Sequence, residues 1–207
     1  MKYYILMADI IESSRKTSAA LMQDFSEICN HMNKNFRNYF HSPITITLGD
    51  EFQSIVKSIK EGVNIIVEFE ETIIHTKKGF KLRYVLNYGD INTPINRKRA
   101  HGMLGSGLTE TRDMLSGKKQ ERGRFLIKDR DPVLSEKINQ AFFIYQSFID
   151  GWKLKDYGIV SAFLKYRDYK RVADVLIKNR SLMWKREKSL KINEYLAVKK
   201  LINLILE

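Results

Sequence analysis

Cysteine occurs once in these 207 residues, at Cys29, which rules out an intrachain disulfide and, by arithmetic, a CxxC or zinc-cluster reading. A reducing interior suits such a chain. No uninterrupted apolar run reaches membrane-spanning length, and the N-terminal MKYYILMADII stays apolar for only a handful of residues before Asp9, with no small-residue cleavage site. The expectation is a cytoplasmic protein with no membrane partner. His31, His41, His75 and His101 keep no metal-ligand spacing, and no GxSxG elbow is present, so histidine metal centres and Ser–His–Asp hydrolysis lack support. Acidic residues are in deficit as well: 24 Asp and Glu stand against 36 Lys and Arg, a net charge of +12.

The imbalance is uneven. Residues 1–132 hold 21 basic and 16 acidic side chains, or +5, whereas residues 133–207 hold 15 and 8, or +7. Basic excess favours an anionic partner such as nucleic acid, nucleotide or a membrane surface, although lysine-rich solvated faces give the same number. Hydrophobic residues at 43% and aromatics at 11% exclude general disorder. The length suits one domain of about 130–150 residues with a smaller appendage. The division is placed at Asp131-Pro132, giving domains 1–131 and 132–207.

Along the first 90 residues the pattern predicts a definite order. Residues 2–8 (KYYILMA) read as a mostly buried strand ending at Asp9. Leu21, Phe25, Ile28, Met32, Phe36 and Phe40 recur at helical steps over 17–40, with Pro43 as the stop. Residues 44–48 form a second strand, Gly49-Asp50 a tight hairpin turn that tolerates positive φ, and Phe52–Val56 the returning strand. Val63, Ile66, Val67, Phe69, Ile73 and Ile74 predict a second helix ended by Lys77-Lys78-Gly79, and residues 80–88 a further strand. This is the β-α-β-β-α-β order of ferredoxin-like sheets, in which the first and third strands are central antiparallel neighbours.

That order brings Asp9 and Asp50 to one edge of the sheet. Two carboxylates beside a turn backbone, joined by the Ile10 carbonyl, make a hard-oxygen set suited to Mg²⁺ or Mn²⁺ and, through the metal, to a nucleoside triphosphate. Glu51 is a candidate third ligand. Ser13, Ser14 and Arg15, at the entry to the first helix, and Gly49 in the turn are candidates for holding phosphate. The competing reading is structural: Asp at a strand end can cap a helix, and Gly-Asp turns often bind nothing. Gly102, Gly105 and Gly107 match no strong phosphate fingerprint and read as a connection.

Asp9-Ile10 together with GDEF at 49–52 resembles the palm of class III nucleotide cyclases and of diguanylate cyclases, the GGDEF proteins. Leu48 stands where diguanylate cyclases carry a second glycine, which tells against diguanylate synthesis. The cyclase resemblance implies that Arg112, in GSGLTETRDML, steadies a transition state, although Leu108 rather than asparagine lies four residues before it. More widely, MADII-E-S-R, the LGDEFQ hairpin, LRYVLNYGDI at 82–91 and a C-terminal helix-turn-helix look like SatD-type bacterial proteins over nearly the whole chain. The implied fold class is α+β: a cyclase-type palm followed by a small all-α helix-turn-helix domain.

In the C-terminal part, residues 133–149 and 152–166 read as helices with wide apolar faces. In YKRVADVLIKNRSLMWKR, Val172, Ala173 and Leu176 pack a first helix, Asn179 takes the left-handed turn position, and Ser181 caps a second helix bearing Trp184, Lys185, Arg186 and Lys188. Those five residues are the nucleic-acid candidates, with a helical bundle bearing a solvated basic surface as the competing reading. Ile192, Tyr195, Val198 and Ile202 at helical steps suit either closure of the small domain or a homodimer contact.

Three functions fit the sequence: a nucleotide- and metal-binding regulator with a nucleic-acid-binding helix-turn-helix, a DNA-binding regulator with a degenerate palm, or an active Mg/Mn-dependent nucleotidyltransferase or cyclase with Asp9, Asp50 and Arg112 as catalytic residues.

Overall fold

The computed structural model describes residues 1–11, 19–47, 49–117 and 123–207. Strand β1 (Lys2–Ile10) has its central Ile5–Ala8 buried on both sides, and β3 (Glu51–Val56) is buried at all six positions. Strands buried on both faces need a layer above and a layer below. Here β2 (Phe40–Ile46), β3, β1, β4 (Leu82–Asp90) and β5 (Phe125–Lys128) lie side by side in that order. β1 is antiparallel to both β3 and β4, as the sequence predicts, and β5 adds a parallel fifth strand that the sequence pattern does not announce.

One face is covered by α1 (Ala19–Asn35) and α2 (Ile59–His75), whose Phe25, Ile28, Met32, Val63, Ile66 and Phe69 pack on Leu6, Ala8, Phe52 and Leu86. The other face carries Ile5, Met7, Ile55 and Val85, and is covered by α3 (Ser106–Ser116) through Leu108 and Leu115, together with Ile91, Ala100 and Met103. Helix α3 approaches β4 backbone to backbone. A Cβ on Gly107 would sit 2.5 Å from the Asp90 nitrogen and the Gly89 carbonyl carbon. Gly107 is therefore a packing residue.

Several boundaries differ from the sequence reading, each for a local reason. β1 extends past residue 8, so Asp9 lies within the strand. Helix α1 ends at Asn35 and a 3-10 turn (Arg37–Tyr39) follows, so Phe40 leaves the predicted helical stripe and pairs with Val56 in β2. The Asn33 amide draws the chain round by accepting from Ile44 N and donating to Ile44 O, both at 2.8 Å. Pro43 stops no helix. It lies in edge strand β2, where a missing N–H is tolerated, within the register shift between Ser42 and Thr45. After α2 it is Lys77, with φ 55°, that takes the left-handed position, rather than Gly79.

Helix α4 (Pro132–Ile149) starts at Asp131, whose side chain accepts from Val133 N with Pro132 just inside, a favoured N-terminus. A 3-10 turn (Leu154–Asp156), α5 (Tyr157–Tyr166), α6 (Tyr169–Leu176), α7 (Arg180–Ser189) and α8 (Ile192–Ile205) follow. Asn139 on α4 does for β5 what Asn33 does for β2: its amide accepts from Ile127 N at 2.9 Å and donates to Ile127 O at 2.8 Å. The apolar cluster beneath α1 and α2 runs without a break into α4, α5, α6 and α8, through ring contacts from Tyr84 to Phe125, Phe142, Tyr145 and Tyr195. The division at 131/132 thus falls at a helix start over a continuous core. No helix among the described residues is long and apolar enough to cross a membrane.

At the junction, Arg124 donates to both oxygens of Glu70 (2.8 and 2.6 Å), to the Leu82 carbonyl (2.8 Å) and to Asp150 (3.1 Å), and Lys81 pairs with Asp150 at 3.0 Å. Arg124 and Glu70 are each 6% exposed. Burial works against the Arg124 charge, and the adjoining Glu70 carboxylate more than offsets it, so its pKa is raised.

Candidate functional site

Cross-strand partners share a face of the sheet. Asp9 is opposite Glu51 on β3 and opposite Arg83 on β4, while Met7 is opposite Gln53 and Val85. Positions 7, 9, 51, 53, 83 and 85 therefore all project to the side that α3 covers. The hairpin brings Asp50 alongside: its carbonyl accepts from Ile10 N at 3.0 Å. Gly49, with φ +83°, supplies the left-handed turn residue that the hairpin requires. The predicted meeting of the β1 end with the Gly49-Asp50 turn is present.

The carboxylates themselves are largely spoken for. Arg83 donates from Nε to Asp9 Oδ1 (3.0 Å) and from Nη2 to Asp9 Oδ2 (2.6 Å), a bidentate fork that occupies both oxygens. These hydrogen bonds to Asp9 raise the Arg83 pKa. Glu51 accepts from Arg112 Nη2 at 2.9 Å and from Thr47 Oγ1 at 3.0 Å. Across the face runs a row with the two carboxylates adjacent at its centre and a guanidinium at each end: Arg112, Glu51, Asp9, Arg83. The side chain of Asp50, a partly exposed residue, has no hydrogen-bond or ion-pair partner among the described residues.

As a Mg²⁺ or Mn²⁺ site this set is not pre-assembled among the described residues. Asp9 and Glu51 already hold guanidinium groups, and among the described residues no group of three or more His, Cys, Asp and Glu converges as metal ligands. Ser13, Ser14 and Arg15 lie outside the described residues. His31, His41, His75 and His101 are all exposed, as the sequence suggests.

Beside the charged row lies a cleft of about 390 Å³ between the sheet face and α3. Met7 and Gln53 form its floor; Met103, Leu104 and Leu108 its apolar sides; His101, Thr109, Arg112 and Asp113 its polar rim. Of the catalytic and metal candidates, Arg112 lines this cleft. Its side chain is 47% exposed even while paired with Glu51. The Asn87 amide fastens α3 to β4 through Glu110 Oε2 (3.2 Å) and Thr111 Oγ1 (3.1 Å). Gly105, read as part of a connection, likewise has a packing role, since a Cβ there would meet the Asp90 carbonyl oxygen at 2.2 Å.

Sequence reasoning missed Arg83 and Gln53. A signal existed for both: each is a polar residue at an alternate position of an otherwise apolar strand, in LRYVLNY and EFQSIV, where a side chain on the buried face needs a partner.

In the C-terminal part, α6 and α7 are consecutive helices joined by Ile177, Lys178 and Asn179. The roles in the turn differ from those expected. Ile177 takes the left-handed conformation (φ 53°), and Asn179 is the cap, its side chain accepting from Ser181 N (2.8 Å) and Leu182 N (3.2 Å). Asn179 reaches both free N–H groups, so the Ser181 hydroxyl has no capping role. Ser181, Trp184, Lys185 and Lys188 are exposed on α7, and Met183 is its one buried residue. Arg186 is turned inward: it donates to Asp156 Oδ1 at 2.6 Å, so it fastens α7 to the turn before α5. On α8, Ile192, Tyr195, Val198 and Ile202 are buried, and the helix packs chiefly on α4.

Among solved structures, the guanylate cyclase domain of RhGC from Catenaria anguillulae in complex with GTP is similar at a TM-score of 0.41 and 17% identity, over 57% of this chain and 74% of that one. The catalytic core of a rhodopsin-guanylyl cyclase with converted specificity, in complex with ATPαS, is similar at 0.36 and 17%, over 57% and 75%. Among curated proteins no match is found. The SatD family model matches residues 3–206, nearly the full length of the chain. This protein belongs to the SatD family.

Proposed function

We propose that this protein is a cytoplasmic, non-catalytic regulator whose palm binds a nucleotide on the α3 face and whose α6–α7 pair contacts nucleic acid. The observation that carries the non-catalytic reading is the Asp9–Arg83 fork. A guanidinium in a bidentate fork offsets the negative charge that a divalent cation needs, and neighbouring Glu51 is likewise paired with Arg112. The nucleotide reading is supported by the cleft on the same face: Arg112 stands at its rim, half-exposed and fixed in charge, a suitable partner for phosphate oxygens. Asp50 and Gly49 border the site without serving as ligands in this reading.

The nucleic-acid half is supported by the exposed Ser181, Trp184, Lys185 and Lys188 on one short helix that follows another across a three-residue turn. Arg186 is withdrawn from that surface by Asp156. For a homodimer the chain offers Leu201 and Leu204, exposed on α8, since the rest of the stripe is used within the chain.

Calorimetric titration of the four nucleoside triphosphates, with Mg²⁺, with Mn²⁺ and with EDTA, tests the palm. Binding that persists in EDTA and weakens about tenfold in Arg112→Ala is expected, with no turnover. Strictly metal-dependent binding that Asp9→Asn abolishes, together with product formation, would restore the catalytic reading.

A further inference from the structure

Gln53 is a largely buried polar side chain that the contacts described so far do not use. It is 6% exposed, lies at the centre of β3 opposite Met7, and lines the floor of the 390 Å³ cleft. Its amide has no hydrogen-bond partner among the described residues, although buried amides are almost always satisfied. Several nearby polar groups are engaged elsewhere. Thr45 Oγ1 accepts from Ala100 N at 2.8 Å, Arg112 holds Glu51, and Asn87 bonds to α3. The amide faces the cleft, where solvent reaches it and a ligand edge that matches its donor and acceptor can take the place of water.

The surroundings define what that ligand is. An amide offers one donor and one acceptor side by side in a plane, the complement of a ring edge that also places a donor next to an acceptor. The walls are flat and soft: Met7 and Met103 present thioethers, which make favourable contacts with aromatic rings, and Leu108 adds apolar surface. Gln53 is neutral and Asp113 stands at the rim, so the interior is set against a second carboxylate or phosphate. A volume of about 390 Å³ lies at the small end of ligand pockets.

From these features we infer that the Gln53 cleft is a recognition site for the edge of a planar nitrogen heterocycle, a purine or pyrimidine base, seated on β3 beneath α3. The inference deepens the nucleotide reading and rests on it for the phosphate end alone. Two residues further along the same face, about 7 Å away, lie Asp9 and Glu51, the latter holding Arg112. A nucleotide with its base on Gln53 therefore carries its phosphates towards the arginine at the rim.

The test uses phosphate-free probes. Adenosine, guanosine, uridine and cytidine are titrated into the full chain, into Gln53→Leu, which keeps the volume and removes both polar atoms, and into Gln53→Glu, which keeps acceptors alone. One nucleoside is expected to bind the wild type in the micromolar to millimolar range, about tenfold or more weaker in Gln53→Leu, with the order of preference among bases altered in Gln53→Glu. That altered order is a readout a loss of folding does not produce, and the melting temperature of each variant is recorded alongside. Triphosphate binding without nucleoside binding, or nucleoside binding indifferent to both substitutions, overturns this inference and leaves the nucleotide reading standing. Absence of binding by nucleosides and triphosphates alike overturns both.

Discussion

Two arginine–carboxylate constellations flank the start of β4, one on the α2 side of the sheet and one on the α3 side, and they differ in what surrounds them. Near its start, Arg124 and Glu70 are sealed at 6% exposure each, with the Leu82 carbonyl and Asp150 absorbing the remaining donors. At the β1–β3 edge, Arg83 and Asp9 stand at 28% and 21%, and Arg112 and Glu51 at 47% and 12%. The same chemical pair is thus used in two ways. In the sealed case every charge is compensated and removal of one partner strands another in low dielectric. In the open case water shares the charge, so the pair contributes little to stability and is available for exchange with a ligand.

The contrast predicts its largest effect at Glu70. Glu70→Ala leaves Arg124 buried and half-paired and should cost about 3–5 kcal/mol in urea unfolding; a loss under 1 kcal/mol would place both constellations in one class. Arg83→Met should change stability by no more than about 1 kcal/mol, and its more telling effect is on metal. Millimolar Mn²⁺ should leave the wild-type melting temperature unchanged and raise that of Arg83→Met, where Asp9 is freed beside Asp50. A wild-type rise that Asp9→Asn removes would show that the guanidinium yields to metal, and the two regions would then differ for another reason.

The smallest effect concerns pH. Burial alone would raise the Asp150 pKa, but Arg124 and Lys81 outweigh it and hold the carboxyl below its usual value. A folded pKa below the unfolded one contributes stability that is present above about pH 4 and is lost as pH falls further. Asp150→Asn should therefore flatten the acid limb of the stability curve below pH 4.

The sequence exposes those features that repeat along a strand or helix and hides those that depend on a partner far away. The order of the first four strands and two helices is legible because hydrophobic periodicity and the Gly49-Asp50 turn declare it, and the approach of Asp9 to the hairpin follows from that order. β5 escapes notice because four residues carry too little periodicity and its pairing with β4 is set by tertiary context. The candidate site is legible in its acids and not in its bases: nothing local in LRYVLNY says that Arg83 will face Asp9 across the sheet, which depends on register alone. In the α6–α7 turn, three polar or basic residues competed for the cap and left-handed positions. The structure gives the left-handed place to Ile177, a β-branched residue ill suited to it, because Asn179 is drawn to the end of α7.

The paired asparagines have a consequence for assembly. Edge strands invite a second copy to add its own strand, the usual route to sheet-mediated oligomers and fibres. On β2 the Asn33 amide, and on β5 the Asn139 amide, take up a backbone N–H and C=O just as an incoming strand would, and Pro43, within a register shift, interrupts the rest of β2. Each side chain acts as a one-rung terminator. Strand addition at either edge of the sheet therefore has one backbone rung fewer to pair with, which disfavours sheet-mediated assembly relative to contacts through the helices.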